Sequence, residues 1–183
     1  MSTSDSLRGQ LLIASPSLLD PNFRRTVVLV LEHDDEGTVG LVLNRPSETT
    51  VAEAVPPLAE LVEPSDVVSV GGPVQPKAVS VLAEWYEPDS AASIVFAEVG
   101  AIPAEAELDD VRSVTRRRRV FAGYTGWSPG QLEAELEEPS WIVAPPHVDD
   151  VFESEEDLWS SVLRRKGGEY RLLATMPEDP SLN

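Results

Sequence analysis

The sequence predicts one domain of the α/β class, with strands dominating the first half and capped helices entering in the second. Three observations predict it. The chain has 183 residues, 42% of them hydrophobic, which suffices for one sizeable core and fits the usual range of a single domain. Short runs rich in Val and Leu, bounded by Gly, Asp and Pro, recur at strand length through the first half. Farther on, Ser128-Pro129-Gly130-Gln131 and the Ser154 that precedes Glu155 to Lys166 carry helix-start signals.

Taken in order, Gln10 to Ala14 is the first expected strand, and Thr26 to Glu32 the second. The acidic turn Asp34-Asp35-Glu36-Gly37 then returns the chain into Thr38 to Leu43, so these two runs make a hairpin. Thr50-Val51-Ala52-Glu53 matches a capping box for a short helix that Pro56 and Pro57 stop or kink. Val67 to Val70 is a strand ending at Gly71-Gly72-Pro73, and Ala78 to Ala83 and Ser93 to Ala97 are two more. Pro103 to Val114 reads as a short helix and Arg119 to Tyr124 as strand. Ser128 is the expected N-cap of a helix running to about Glu137, with Pro129 at its first position and Gln131 three residues after the cap. Trp141 to Val143 is short and apolar. Glu155 to Lys166 is the clearest helix: acids fill its first turn, Arg164, Arg165 and Lys166 its last, and Gly167 follows. Tyr170 to Thr175 is the expected final strand, before an acidic, Pro-containing tail from Pro177.

Charge and composition exclude several classes. Fourteen basic residues against thirty-two acidic ones give a formal charge of −18, which repels phosphate backbones and disfavours direct nucleic-acid binding. No apolar run approaches the roughly 18 residues of a membrane helix, and Asp5 stands where a signal peptide would carry a basic region. With no cysteine, the expected compartment is the reducing cytoplasm. The run Arg116 to Arg119 enters a strand, so at most alternate arginines share a face, and pairing with the chain's own acids is the expected use.

Each apparent catalytic motif meets a chemical objection. Gly126-Trp127-Ser128-Pro129-Gly130 fits G-x-S-x-G, but the residue after the serine should donate a backbone N–H to an oxyanion, and Pro129 has none. Ser128 therefore reads as a helix cap. His33-Asp34-Asp35-Glu36 and His147-Val148-Asp149-Asp150 could together serve a hydrolase or a divalent metal; their spacing matches no metal motif, and acids beside Gly37 are ordinary turn residues. Gly71-Gly72 could admit a phosphate to the backbone, yet a tight turn explains the pair as well. No catalytic residue, cofactor site or metal site is assigned.

Several ordered segments resemble the AlgH/YqgE family of bacterial proteins. They are Leu12-Ile13-Ala14-Ser15-Pro16, Asp20-Pro21-Asn22-Phe23-Arg24-Arg25-Thr26-Val27 with Glu32-His33, Gly40 to Pro46, Gly71-Gly72-Pro73-Val74, Gly123 to Glu133, Trp141 with Ala144-Pro145, and Leu173 to Pro177. The likeness spans about Gly9 to Met176, while the Arg116 to Arg119 run lies outside the pattern. It implies a mixed α+β fold with a bifurcated β-sheet, a small β-barrel and flanking helices, and a regulatory or adaptor role without enzymatic chemistry, transcriptional control included. The surface it singles out for a protein or small ligand comprises Phe23, Arg24, Asn44, Gly71, Gly72, Pro73, Gly126, Trp127, Gly130, Gln131 and Glu133.

Overall fold

Three neighbouring strands frame the fold because each is apolar on both faces. In β1 (Leu11–Ala14), β2 (Val27–Asp34) and β3 (Gly37–Val42), successive side chains point to opposite sides of the sheet. Leu11, Ile13, Val27, Leu29 and Leu41 enter one core, and Leu12, Ala14, Val28, Val30 and Val42 enter another. A strand buried on both sides reads as a continuous apolar run, and that is what the sequence contains here. Residues 6–103, 105–153 and 157–177 of the computed structural model are described below.

The remaining elements are β4 (Pro46–Thr50), α1 (Val51–Ala54), β5 (Val67–Val70), β6 (Val74–Trp85), β7 (Ser93–Phe96), β8 (Val99–Ala101), α2 (Leu108–Val114), β9 (Thr115–Trp127), α3 (Gln131–Glu137), β10 (Trp141–Ala144), α4 (Val148–Phe152), α5 (Leu158–Lys166) and α6 (Tyr170–Leu173). A 3-10 turn, Pro56–Leu61, follows α1. The strands run in the order β10-β1-β2-β3-β9-β6-β8-β7, with β4 and β5 off this path.

The bifurcation occurs at β9. Along one edge it pairs with β6 from Trp85↔Thr115 to Val74↔Tyr124. It is also parallel to β5 at Ser69↔Phe121 and Val70↔Ala122, and then antiparallel to β3 from Gly40↔Thr125 to Thr38↔Trp127. Among the described residues the sheet path ends at β10 and β7 without joining them, so the sheet is mixed and branched but is not closed into the small barrel that the resemblance implies.

One face is covered by α4, α5 and α6, through Val151, Leu158, Trp159, Val162, Leu163 and Ala174. The other is covered by α3 through Leu132 and by Trp127 and Trp141. The Thr50 cap of α1 accepts from the Glu53 N–H at 3.2 Å, as expected from the capping box. Arg165 holds α5 to α4 by a two-pronged pair with Asp150, 2.9 and 2.7 Å.

Three expectations need correction. Tyr170 to Thr175 is not a strand: Tyr170–Leu173 is a helical turn, because Gly167 and Gly168 adopt positive φ and fold the chain back, letting Ser160 Oγ donate to the Ala174 carbonyl at 3.1 Å. A short apolar run fits either structure until its packing is known. The helix after the Trp127 motif starts at Gln131, with Gly130 at its cap in the left-handed region, rather than at Ser128. Two Gln131 Oε1 bonds hold Ser128 outside the helix, from its N–H at 3.0 Å and its hydroxyl at 3.1 Å. The last long helix begins at Leu158, where Asp157 accepts from the Ser160 N–H; Ser154 lies outside the described residues.

Candidate functional site

The loop between β1 and β2, the corner after β3, and the start of α5 surround a cavity of about 890 Å³. Its wall includes Arg24, Arg25, Asn44, Arg45, Arg119 and Trp159. Local structure explains how these come together. Asn22 donates its N–H to Asp20 Oδ1 at 2.9 Å, and the Phe23 and Arg24 N–H groups both reach the Asp20 carbonyl, so the loop turns tightly. That turn carries Arg24 and Arg25 to the cavity and Phe23 to the opposite side of the sheet, against Trp127 and Trp141 at 6.3 and 5.8 Å between ring centres.

Asn44 fixes the loop's exit. Its Oδ1 accepts from the Val27 N–H at 2.9 Å, and its Nδ2 donates to the Arg25 carbonyl at 2.8 Å. The side-chain amide thereby extends the β2–β3 ladder one step beyond the Leu43 N–H bond to the Val27 carbonyl. Arg25 adopts φ 55°, a left-handed conformation that costs a non-glycine residue about 1–3 kcal/mol and must be held by its surroundings. Here the holding contacts are the Asn44 amide, a stack of the guanidinium 4.0 Å from the Trp159 ring centre, and a 3.0 Å bond to the Met176 carbonyl.

Arg45 donates to the carbonyls of Pro21 and Arg24, at 3.3 and 2.7 Å. Arg119 donates to Ser69 Oγ at 2.9 Å, to the Val151 carbonyl at 2.8 Å and to the Leu43 carbonyl, and lies 5.0 Å from the Phe121 ring centre. Burial pushes Arg119 down to about 10, a value at which it still carries its charge at neutral pH. On Asp157 burial acts upward, but the Ser160 bonds and the charges of Arg25 and Arg164 prevail and hold its carboxyl below its ordinary value.

The other arginines of the 116–119 run have internal partners. Arg117 bonds Glu84 at 2.7 Å and Asp149 at 3.0 Å, and the Glu84 bond is the main reason its pKa is raised. Arg118 turns to the carbonyls of Leu61 and Thr115, and burial lowers its pKa. Arg116 is exposed, 3.8 Å from Glu84.

Of the residues singled out from the sequence, Arg24 and Asn44 line the cavity. Gly71, Gly72 and Pro73 form the crossing where β5 leaves β9: the Gly71 N–H donates to the Ala122 carbonyl at 2.8 Å, and a methyl on Gly72 would collide with the Tyr124 backbone. Trp127 joins Phe23 and Trp141 under α3, where both indole N–H groups donate to Glu135 Oε1, at 3.2 and 3.0 Å. Gly126 pairs with Val39, Gly130 and Gln131 start α3, and Glu133 bonds His33.

His33 accepts the Leu7 N–H on Nδ1 at 2.8 Å, which leaves Nε2 to carry the proton toward Glu133 Oε1, 2.7 Å away. His147 instead starts α4, its N–H held by Asp150 Oδ2 at 2.7 Å. The two histidines share no partner, and among the described residues no three His, Cys, Asp or Glu side chains gather closely enough to hold a metal ion. No helix among them is long and apolar enough to cross a membrane. Arg25, Arg45 and Arg119 also line the cavity and lie outside the surface that the family resemblance singles out. Their available signal was position: two sit beside loop residues already singled out, and the third sits at an alternate position of a strand.

A sequence model described as AlgH-like matches residues 11–171. A UPF0301 protein of Thermobifida fusca is 44% identical over 190 residues, covering 97% of this chain and 96% of its own. A UPF0301 protein of Streptomyces avermitilis is 43% identical over 190 residues, covering 100% and 98%. Among solved structures, protein DIP2367 from Corynebacterium diphtheriae aligns with a TM-score of 0.87 at 27% identity, over 96% of this chain and 95% of that one. The solution structure of the AlgH protein from Pseudomonas aeruginosa aligns with a TM-score of 0.72 at 31% identity, over 97% of each.

Proposed function

The chain belongs to the AlgH-like family, and on that premise we propose that it is a cytoplasmic regulatory or adaptor protein that acts by binding a small ligand or a partner protein. The observation that carries the reading is the cavity of about 890 Å³ beside the β1–β2 loop, a volume within the range of roughly 300–1,000 Å³ usual for small-molecule sites. Arg24 and Asn44 belong to its wall, and Phe23, next in the same loop, ties that wall to the aromatic cluster of Trp127 and Trp141 beneath α3. Phe23 thereby joins the Arg24 loop to α3, the helix that carries Gln131 and Glu133. A part in transcriptional control would run through a partner protein, because a net charge of −18 repels nucleic acid at long range.

The test is native purification of the full chain from a bacterial lysate, with mass spectrometry of the proteins and small molecules it retains. The matched control is an Arg24→Glu, Arg45→Glu double variant. A compound or protein retained by the wild type and lost from the control is the expected result; identical profiles would overturn the reading.

A further inference from the structure

We propose that this cavity binds a small phosphate monoester, gripped by the guanidinium groups of Arg24, Arg25, Arg45 and Arg119. The inference rests on the ligand-binding reading above and names the chemistry of the ligand.

Acids outnumber bases more than two to one in this chain, so a cation facing a cavity should meet a carboxylate. These four do not. Among the described residues none of them has a carboxylate oxygen within 4.0 Å, whereas Arg117 and Arg165, on neighbouring elements, are each paired with acids. Among the described residues, the acceptors that Arg25, Arg45 and Arg119 have are neutral: five backbone carbonyls, those of Met176, Pro21, Arg24, Val151 and Leu43, and the Ser69 hydroxyl.

Neutral acceptors hold a guanidinium in place without cancelling its charge. Of the five N–H donors of Arg119, three have these partners and two remain for a ligand. Of the two acids on the wall among the described residues, Glu153 lies 3.6 Å from Arg117, and Asp157 caps α5 through the Ser160 N–H while the charges of Arg25 and Arg164 act on it. Among the described residues of the wall, four arginines face these two carboxylates, a formal excess of two positive charges. That excess matches the charge of about −1.5 to −2 on a phosphate monoester better than the single charge of a carboxylate. The planar fork of arginine fits phosphate oxygens in pairs. Leu19, Leu43 and Leu158 supply an apolar wall for the organic part of the ester.

The experiment is isothermal titration of the full chain with phenyl phosphate, inorganic phosphate and, as the neutral control, phenol, all at one ionic strength. Saturable one-to-one binding of phenyl phosphate, weaker binding of inorganic phosphate and none of phenol are expected. Arg24→Gln removes a side chain with no bond to the rest of the described chain, so it should fold normally and bind about tenfold more weakly. Arg119→Lys, checked by circular dichroism, keeps the charge, loses the fork and should weaken binding at least as much. Arg116→Gln, exposed and off the cavity, should bind as the wild type does.

No saturable phosphate binding, or equal weakening by Arg24→Gln and Arg116→Gln, would overturn the proposal. Binding to phosphatidic acid vesicles without binding to phenyl phosphate would overturn it in favour of a lipid headgroup. If the native purification returns a neutral or cationic compound that depends on Arg24 and Arg45, the ligand reading stands and the phosphate assignment falls. If phosphate binds while that purification returns identical profiles, the assignment stands and the regulatory reading falls.

Discussion

His33 and Glu133 stand one hundred positions apart in the chain, with the imidazole Nε2 and the carboxylate Oε1 2.7 Å apart. Through Leu7, whose N–H reaches Nδ1, the same ring ties the N-terminal segment to β2 and to α3. The bond from His33 is the main cause holding the Glu133 carboxyl below its ordinary value of 4.5. A carboxyl depressed by folding contributes stability that is fully present above its unfolded value and is lost as pH falls through the lower folded one. Glu133 is 44% exposed, so solvent screens the pair, and Glu133→Gln should cost about 1 kcal/mol at neutral pH. In urea denaturation the gap between wild type and variant should narrow as pH drops below 4.5. A gap unchanged into that range would show that the charge of Glu133 plays no part.

Gly123 and Gly130 both adopt positive φ, 77° and 79°, but for different reasons. A side chain on Gly123 would strike the Gly72 carbonyl as well as strain the backbone, whereas one on Gly130 would meet nothing within 4 Å. Gly123→Ala should therefore cost about 3 kcal/mol or more, the sum of overpacking and a left-handed alanine, and Gly130→Ala only about 1–2 kcal/mol. Thermal unfolding of the two variants side by side tests this ranking. Equal losses would mean that conformation alone, and not the crossing of β5 over β9, sets the need for glycine.

Asn44→Ala removes the acceptor of the fully buried Val27 N–H and the donor to the Arg25 carbonyl together. A loss of about 1–3 kcal/mol is expected. Amide hydrogen exchange at Val27 should quicken in the variant more than at Leu29, in the same strand. Uniform quickening across β2 would instead indicate general destabilisation and deny Asn44 its local role.

Elements whose signals are local could be read along the chain. Thr50 and Glu53 announced their cap, Asp34 to Gly37 their hairpin turn, and Val67–Val70 a strand with those bounds. The ordered family motifs gave the α+β class and the branched sheet. Where two local structures were equally good, packing chose between them. Tyr170 to Thr175 suits a strand by composition, yet its place against α5 makes it helical. Ser128 suits a cap, yet Gly130 can take the left-handed conformation that the turn requires.

The candidate site divides in the same way. Arg24 and Asn44 were legible because they lie in recognisable loops, and the spacing of Arg116 to Arg119 already implied that the four would not share a face. Which of them faces the cavity follows from long-range packing alone. Arg119 comes from β9, Arg45 from the corner after β3, and Arg24 and Arg25 from the loop before β2. The branching of the sheet at β9 brings these distant segments together, and their shared lack of a carboxylate partner among the described residues is a property of three-dimensional neighbours, which no window along the chain contains.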